Sequence, residues 1–335
     1  MDRRQTWAEI RALRADPPGM ARNGPKRTVF GAALHQAEDL FRSSEGLGPA
    51  SRPINIFYGL SQATRALAAA GVPDKTAWQL RGHGITHHKG LDRALSSIRF
   101  MQTLDARGAY TTLAGLLGSP TPEEPVLLVD ALSALPHSPS GESWKDLVRP
   151  LSYRHQPQGM DGAFFVHSKN YFVQTAGWPE PPSSASSDLL SLRRWARKYL
   201  EKYFPVLAKA HPLPDEYRTI QHEEGSGVLT LKFESEESLG TNWQREILVR
   251  DIGTKYGEYA FIFPRFTGLS QPHHPLLIWW ASLWCFSMLF RYEPSRWSSV
   301  IDVDSSKDAV GIETLLEDSL DMVPALILRE LTRFQ

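Results

Sequence analysis

Residues 54–90 read "INIFYGLSQATRALAAAGVPDKTAWQLRGHGITHHKG". Ile54, Phe57, Leu60, Ser61, Thr64 and Leu67–Ala68 recur every three or four positions, the spacing of one face of a long helix. Pro53 stands where a helix accepts proline, in its first turn. "AGVP" stops the helix, with Gly71 as breaker and Pro73 just beyond. Tyr58, Gln62 and Arg65 span seven positions, two helical turns, and so share a face. The connection "GVPDKTAWQL" is short and contains Trp78, an apolar ring that needs burial. "RGHGITHHKG" follows, with three glycines and three histidines, and reads as a loop. Gly82 and Gly84 allow the backbone to approach a neighbour closely. The chain is therefore expected to turn back and set His83 beside Tyr58, Gln62 and Arg65.

Working outward, residues 4–15 form a short amphipathic pattern that breaks at "DPPG". Thr28–Ser43 repeats the helical spacing through Phe30, Leu34, Ala37 and Leu40–Phe41. A short strand is expected within "SSIRFMQTLDARGAY", then a helix at Tyr110–Leu117, and another helix in "EPVLLVDALSAL". "DGAFFVHSKNYFVQT" reads as a strand or hairpin turning at Lys169–Asn170. "GWPEPPSSASS" has the composition of a linker. It introduces a basic helix with Leu192, Trp195, Tyr199 and Tyr203 on one face. After Pro214 the pattern changes to strands, with a hairpin turn expected near Gly225–Gly227. From Pro275 it is helical again and ends in a long helix containing Pro324.

The expected class is α+β. A mainly helical bundle forms from the N- and C-terminal helices, with a small antiparallel β subdomain inserted between them. The expected divisions are 1–176, 177–270 and 271–335. The last is predicted to pack back on the first.

Composition narrows the function. Of 335 residues, 37 are Lys or Arg and 37 are Asp or Glu, so no global field draws the chain to nucleic acid or to an anionic membrane. The single cysteine, Cys285, rules out an intramolecular disulfide and a thiolate-rich metal site. It sits in "LIWWASLWCFSMLF" without a base beside it and reads as a buried structural thiol. The N-terminus has no apolar core of a signal peptide, so the expected location is cytoplasmic. "PLLIWWASLWCFSMLF" lacks charge but is shorter than the roughly 20 residues a bilayer demands, and reads as a helix buried on all sides.

Walker A, GxGxxG, GxSxG and HExxH patterns are missing from the sequence, which lowers the standing of nucleotide, hydrolase and zinc-protease classes. His273–His274 precedes a proline and reads as a helix start; no metal site and no cofactor are expected. "DVDSS" lacks the glycine and terminal Glu of a calcium loop. Arg291 reads as a buried partner for Asp302 or Asp304. Arg193, Arg194, Arg197 and Lys198 make a basic helix face that could follow a nucleic-acid backbone or simply face solvent.

"RPINIFYGLSQATRALAAAG" with "LRGHGI", and "HHPLLIWWASLWCFSMLFRYEPSRW" further on, resemble the YaaC-like family of bacterial proteins, from about residue 30 to the end. That resemblance supplies a family more than an activity. A looser one is to HEPN helical bundles, carried by Phe57–Tyr58, Ala63, Ala66 and Leu67. Many of those are metal-independent endoribonucleases that use an Arg and a His four to six residues apart. Arg81 has five residues between it and His87, and six between it and His88.

Two functions are therefore expected. One is a protein acting through a partner or bound ligand, such as a product of the same operon, a second copy, RNA or a nucleotide, in a phage-defence or conflict system. The other is a metal-independent ribonuclease. In it His83 or His87 exchanges protons and Arg81 steadies the phosphate. Separately, Tyr58, Gln62 and Arg65 could line an anion-binding pocket with His83. The plainer alternative is that these side chains only fasten loop to helix.

Overall fold

A computed structural model describes residues 2–74, 76–88, 90–91, 94–105, 107–136, 147–154, 170–186, 188–207, 211–219, 227–234, 254–257, 259–266 and 268–335. The described residues mix helices with small antiparallel sheets, as the α+β class requires. The chain divides into two compact units, 1–147 with 273–335, and 148–272.

The first unit is built on α1 (Arg3–Ala15), α2 (Gly24–Glu45) and α3 (Arg52–Gly71). Trp7, Ile10 and Leu13 are buried, which is the apolar edge of the amphipathic α1. Trp7 lies 5.4 Å from the Phe41 ring of α2. Nearly all of the apolar positions of α3 are buried. Gly59 lets α2 and α3 close together, since a Cβ there would come within 2.8 Å of the Phe41 ring. The turn after α3 is fixed by Asp74, whose Oδ1 accepts from the Thr76 and Ala77 amides at 2.7 and 2.8 Å. Trp78 is buried, so the chain does turn back early.

"ITHH" is not loop. Ile85–His88 form β1, antiparallel to β2 (Arg99–Gln102), which pairs with β3 (Val126–Leu127). The β-branched Ile85 and Thr86 suit a strand, and cross-strand hydrogen bonding outweighs the flanking glycines. "EPVLLVDALSAL" divides in the same way: β3 comes first and the short α5 (Leu128–Ser133) follows. Between them α4 (Ala109–Leu117) covers α3.

The apolar C-terminal run is α7 (Pro275–Tyr292), with every residue from Pro275 to Ser287 buried. It packs on α3, α4 and α5, which explains an apolar surface on all sides. Among the described residues no helix is long and apolar enough to cross a membrane. Cys285 is buried and its thiol is pushed well above the usual range by burial. The short α8 (Pro294–Val300) precedes α9 (Ala309–Thr332), which runs through Pro324 and packs on α1, α3 and α7.

The second unit holds β4 (Leu151–Arg154), β5 (Asn170–Trp178), the helix α6 (Leu189–Tyr203), β6 (His211–Thr219), β7 (Gly227–Glu234), β8 (Thr254–Tyr256) and β9 (Tyr259–Ile262). These strands form one antiparallel sheet in the order β6-β7-β5-β4-β9-β8. Its core joins Leu151, Trp178, Leu231 and Ile262 to Leu200 of α6 and to Phe204 just beyond that helix. Asn170, expected at a turn, opens β5 and pairs with Glu234, while Lys169 lies outside the described residues. Gly177 and Trp178 belong to β5 rather than to the linker, and Trp178 is fully buried with its Nε1 donating to Thr175 Oγ1 at 2.8 Å. Residues 245–253, within the strand region expected after Pro214, and the turn at Gly225 lie outside the described residues.

Candidate functional site

His83 is held by backbone before it is held by its ring. Gly82 and Gly84 flank it with φ of +69° and +74°. The Gly82 and His83 carbonyls accept from the Ala109 and Tyr110 amides at 3.3 and 2.9 Å. Those amides are orphan donors of the first turn of α4, so the His83 segment caps that helix. The Thr103 amide reaches Gly84 O at 3.1 Å and the Arg81 amide reaches Arg107 O at 2.8 Å. Gly84 and Gly108 lie so close that a Cβ on Gly108 would sit 2.3 Å from the Gly84 Cα. Gly108 was invisible to the reading of the histidine-rich stretch alone.

The ring of His83 rests edge-on against Phe57 of α3, with centroids 5.2 Å apart, and 6.2 Å from Trp280 of α7. Phe57 and Trp280 themselves meet at 5.1 Å. His83 is half-buried in this aromatic seat. Burial, then the charges of Arg291 and Arg65, hold its imidazole below the ordinary pKa, so it is neutral near pH 7. Tyr58, Gln62 and Arg65 are each half-buried along α3. Arg65 donates to Leu80 O at 3.2 Å, which fixes the chain just ahead of Arg81.

Arg291 departs from expectation. It is exposed, and it donates to Tyr58 Oη at 3.3 Å and to Tyr292 Oη at 2.9 Å, with its guanidinium 4.9 Å above the Tyr292 ring. Asp302 instead caps its own turn, accepting from Asp304 and Ser305. The structure thus brings His83, Tyr58, Arg65 and Arg291 together. Sequence spacing gave the α3 members, but Arg291 lies more than two hundred residues away and no local pattern links it to them.

His87 takes a separate place. It stacks on Trp284, with centroids 6.2 Å apart. Trp280 and Trp284 are one turn apart on α7, so His83 and His87 mark successive positions on one stripe. His87 Nδ1, Trp280 Nε1 and Trp284 Nε1 are shielded without a hydrogen-bond partner among the described residues. Arg81 is exposed, and no hydrogen bond or ion pair joins it to His83 or His87 among those residues.

His273 and His274 serve the start of α7. Tyr110 Oη lies 2.9 Å from His273 Nε2, both buried. His274 Nδ1 accepts from the Leu276 amide at 3.1 Å as the helix cap. Its Nε2 lies 2.8 Å from Arg329 Nη2 and 3.3 Å from Glu330 Oε1. Among the described residues no cluster of histidine, cysteine and carboxylate groups could hold a metal ion.

In the second unit, Arg193, Arg194, Arg197 and Lys198 are all exposed on α6. Arg194 and Lys198 line an open groove of about 480 Å³, while Arg193 and Arg197 do not, and Arg197 pairs with Glu201 at 3.3 Å.

No curated protein and no solved structure gives a significant match to this sequence. The family model described as YaaC-like Protein matches residues 8–331, from α1 through nearly all of α9, including every residue of the His83 seat. The chain belongs to the YaaC-like family.

Proposed function

We propose that this protein works by recognising an anionic ligand of phosphate or nucleotide type at the His83 seat. Arg65 and Arg291 supply charge, Tyr58 and Gln62 supply hydrogen bonds, and the neutral His83 ring closes the site. The observation that carries this reading is the gathering of two sequence-distant guanidiniums around the His83 seat: Arg291 reaches Tyr58 Oη at 3.3 Å, Arg65 reaches Leu80 O at 3.2 Å, and His83 packs on Phe57 beside Tyr58. One half-buried and one exposed cation, with no carboxylate paired to either among the described residues, favour an anion from outside the chain. The shielded ring nitrogens on Trp280, Trp284 and His87 add polar groups on the same stripe.

The test is calorimetry with inorganic phosphate and with nucleoside phosphates. Arg65→Ala or Arg291→Ala should each weaken binding by about 10-fold, the loss of one charge-assisted hydrogen bond. Absence of binding by every phosphate compound at millimolar concentration defeats the reading. The setting proposed is a phage-defence or conflict system, from the HEPN-type pattern of α3, with an operon product or second copy as partner. Phage plating with the Arg291→Ala variant, and co-purification from the native host, test that part separately.

Metal-independent RNA cleavage is the second reading. It is favoured by the unprotonated His83 next to two guanidiniums, a base beside groups that steady a phosphorane. Arg81 and His87 keep their proposed roles as phosphate and proton-exchanging groups. Cleavage in excess chelator is compared for wild type, His83→Ala and His87→Ala. Equal cleavage by all three, or none by any, removes this reading.

A further inference from the structure

The groove on α6 has a regular composition. Three basic–aromatic pairs, Arg194–Trp195, Lys198–Tyr199 and Lys202–Tyr203, follow one another at intervals of four residues. All six residues line the groove, together with Pro182 and Ala185. Four residues of helix rise about 6 Å, so each pair repeats at roughly that interval along the groove. The cations are exposed, and the rings are half-buried and packed on the core, with Tyr199 5.1 to 5.9 Å from the Trp178, Trp195, Tyr203 and Phe204 rings. Trp195 and Tyr199 stack at 5.9 Å with 27° between their planes. Lys202 Nζ stands 4.7 Å above the Tyr203 ring. No lining residue is acidic, and none of the three cations makes an ion pair among the described residues.

The scaffold is firm. Asp188 caps the helix by accepting from the Ser191 amide at 2.9 Å. Arg265 holds the other end, donating to Lys202 O at 2.7 Å and Glu201 O at 3.1 Å. The core side chains Ala196 and Leu200 fix the rotation of α6, so the pairs keep facing the groove.

We propose that this groove binds single-stranded nucleic acid. Phosphates lie along Arg194, Lys198 and Lys202, and bases rest on the ring row. The rings decide against an acidic peptide, which would use the cations but has no flat partner for three successive aromatics. They also decide against a duplex, whose base faces are already stacked on one another. This site lies in the second unit and does not depend on the anion site of the helical unit.

The test uses the full chain and fluorescence anisotropy of labelled oligonucleotides. RNA and DNA arms of equal length establish which sugar is taken. The expected result is binding of a single strand tighter than of its duplex, with a log–log salt slope of about −2 for three neutralised phosphates. Arg194→Glu with Lys198→Glu should weaken binding at least ~10-fold, and Arg193→Glu with Arg197→Glu less than about 3-fold. The two variants change net charge equally, so a general charge effect would move both alike. Trp195→Leu, kept only if its melting profile stays native, should cost roughly 10-fold through lost stacking. Equal loss from both charge reversals, competition by polyglutamate as strong as by an oligonucleotide of equal charge, or no binding at about 100 µM overturns the proposal.

Discussion

At Gly84 a single methyl group is enough to break the contact on which the placement of His83 depends. An added Cβ there would stand 2.9 Å from the Gly108 Cα, at a φ of +74°. Two costs combine, the left-handed backbone at about 1–2 kcal/mol and the backbone clash on top of it. Gly84→Ala should therefore lower stability by at least ~2 kcal/mol in urea unfolding and disturb the capping of α4. Gly115→Ala, on the exposed side of α4 with nothing within 4 Å, should be neutral or slightly stabilising. Equal behaviour of the two would show that the Gly84–Gly108 contact does not hold the loop. The value of Gly84 could be read from its place beside a histidine. Gly108 could not, because its role exists only when two distant segments touch. Arg291 was misjudged for the same reason: an arginine after an apolar run suggests a buried ion pair, and only the arrival of Tyr58 shows another partner.

At the level of elements, the helices with a partly polar face were legible because their apolar positions recur at the helical period. Residues 3–15, 24–45 and 52–71 emerge as α1, α2 and α3 with ends shifted by a few residues. The shortest strands were harder. β1 and β3 are too short for alternation to stand out, and the glycines around β1 argue for loop. How the helices are fastened was not legible at all. Glu38 of α2 is buried and meets Arg11 of α1, Arg42 at 3.2 Å and Arg14 at 3.9 Å. Arg3 binds Asp321 of α9 at 2.7 Å, and Arg52 binds Glu317 of α9 at 2.7 Å. Glu38→Gln keeps the shape but removes the charge facing three arginines. Their heads are partly exposed, so solvent reduces the penalty to about 1–3 kcal/mol. The measurement is urea unfolding of wild type and Glu38→Gln in low and in high salt. If α1 is held as described, the difference is present in both and smaller in high salt. Arg197→Gln, whose pair with Glu201 is exposed on both sides, should change stability by less than about 0.5 kcal/mol.

For the whole molecule, the beginning of α7 makes stability depend on pH. His273 is buried, and burial, followed by the neighbouring His274, lowers its pKa from 6.5 to about 3. His274 is lowered too, chiefly by burial, against a smaller upward pull from Glu330. Burial would raise the Glu330 carboxyl, but the hydrogen bond and charge of His274, the charge of Arg329 and the hydrogen bond from Arg333 prevail and bring it from 4.5 to about 2. In the unfolded chain both imidazoles take up protons near pH 6.5, while in the folded chain both take them up only at lower pH. The unfolded state then binds more protons as pH falls, so stability is full above pH 6.5 and declines below it. For His273 alone the loss is about 2 kcal/mol at pH 5. Glu330 adds a second decline below about pH 4.5, where the unfolded carboxyl protonates and the folded one does not. Protonation also ends the capping of α7, because a charged His274 ring has no lone pair left for the Leu276 amide. Urea unfolding should accordingly give a plateau from pH 7 to 8 and a fall from pH 6.5 downward. His273→Gln should lower the plateau and flatten the slope between pH 6.5 and 5, since a group that does not titrate cannot contribute to it. A slope unchanged in that variant would move the pH dependence away from this end of α7.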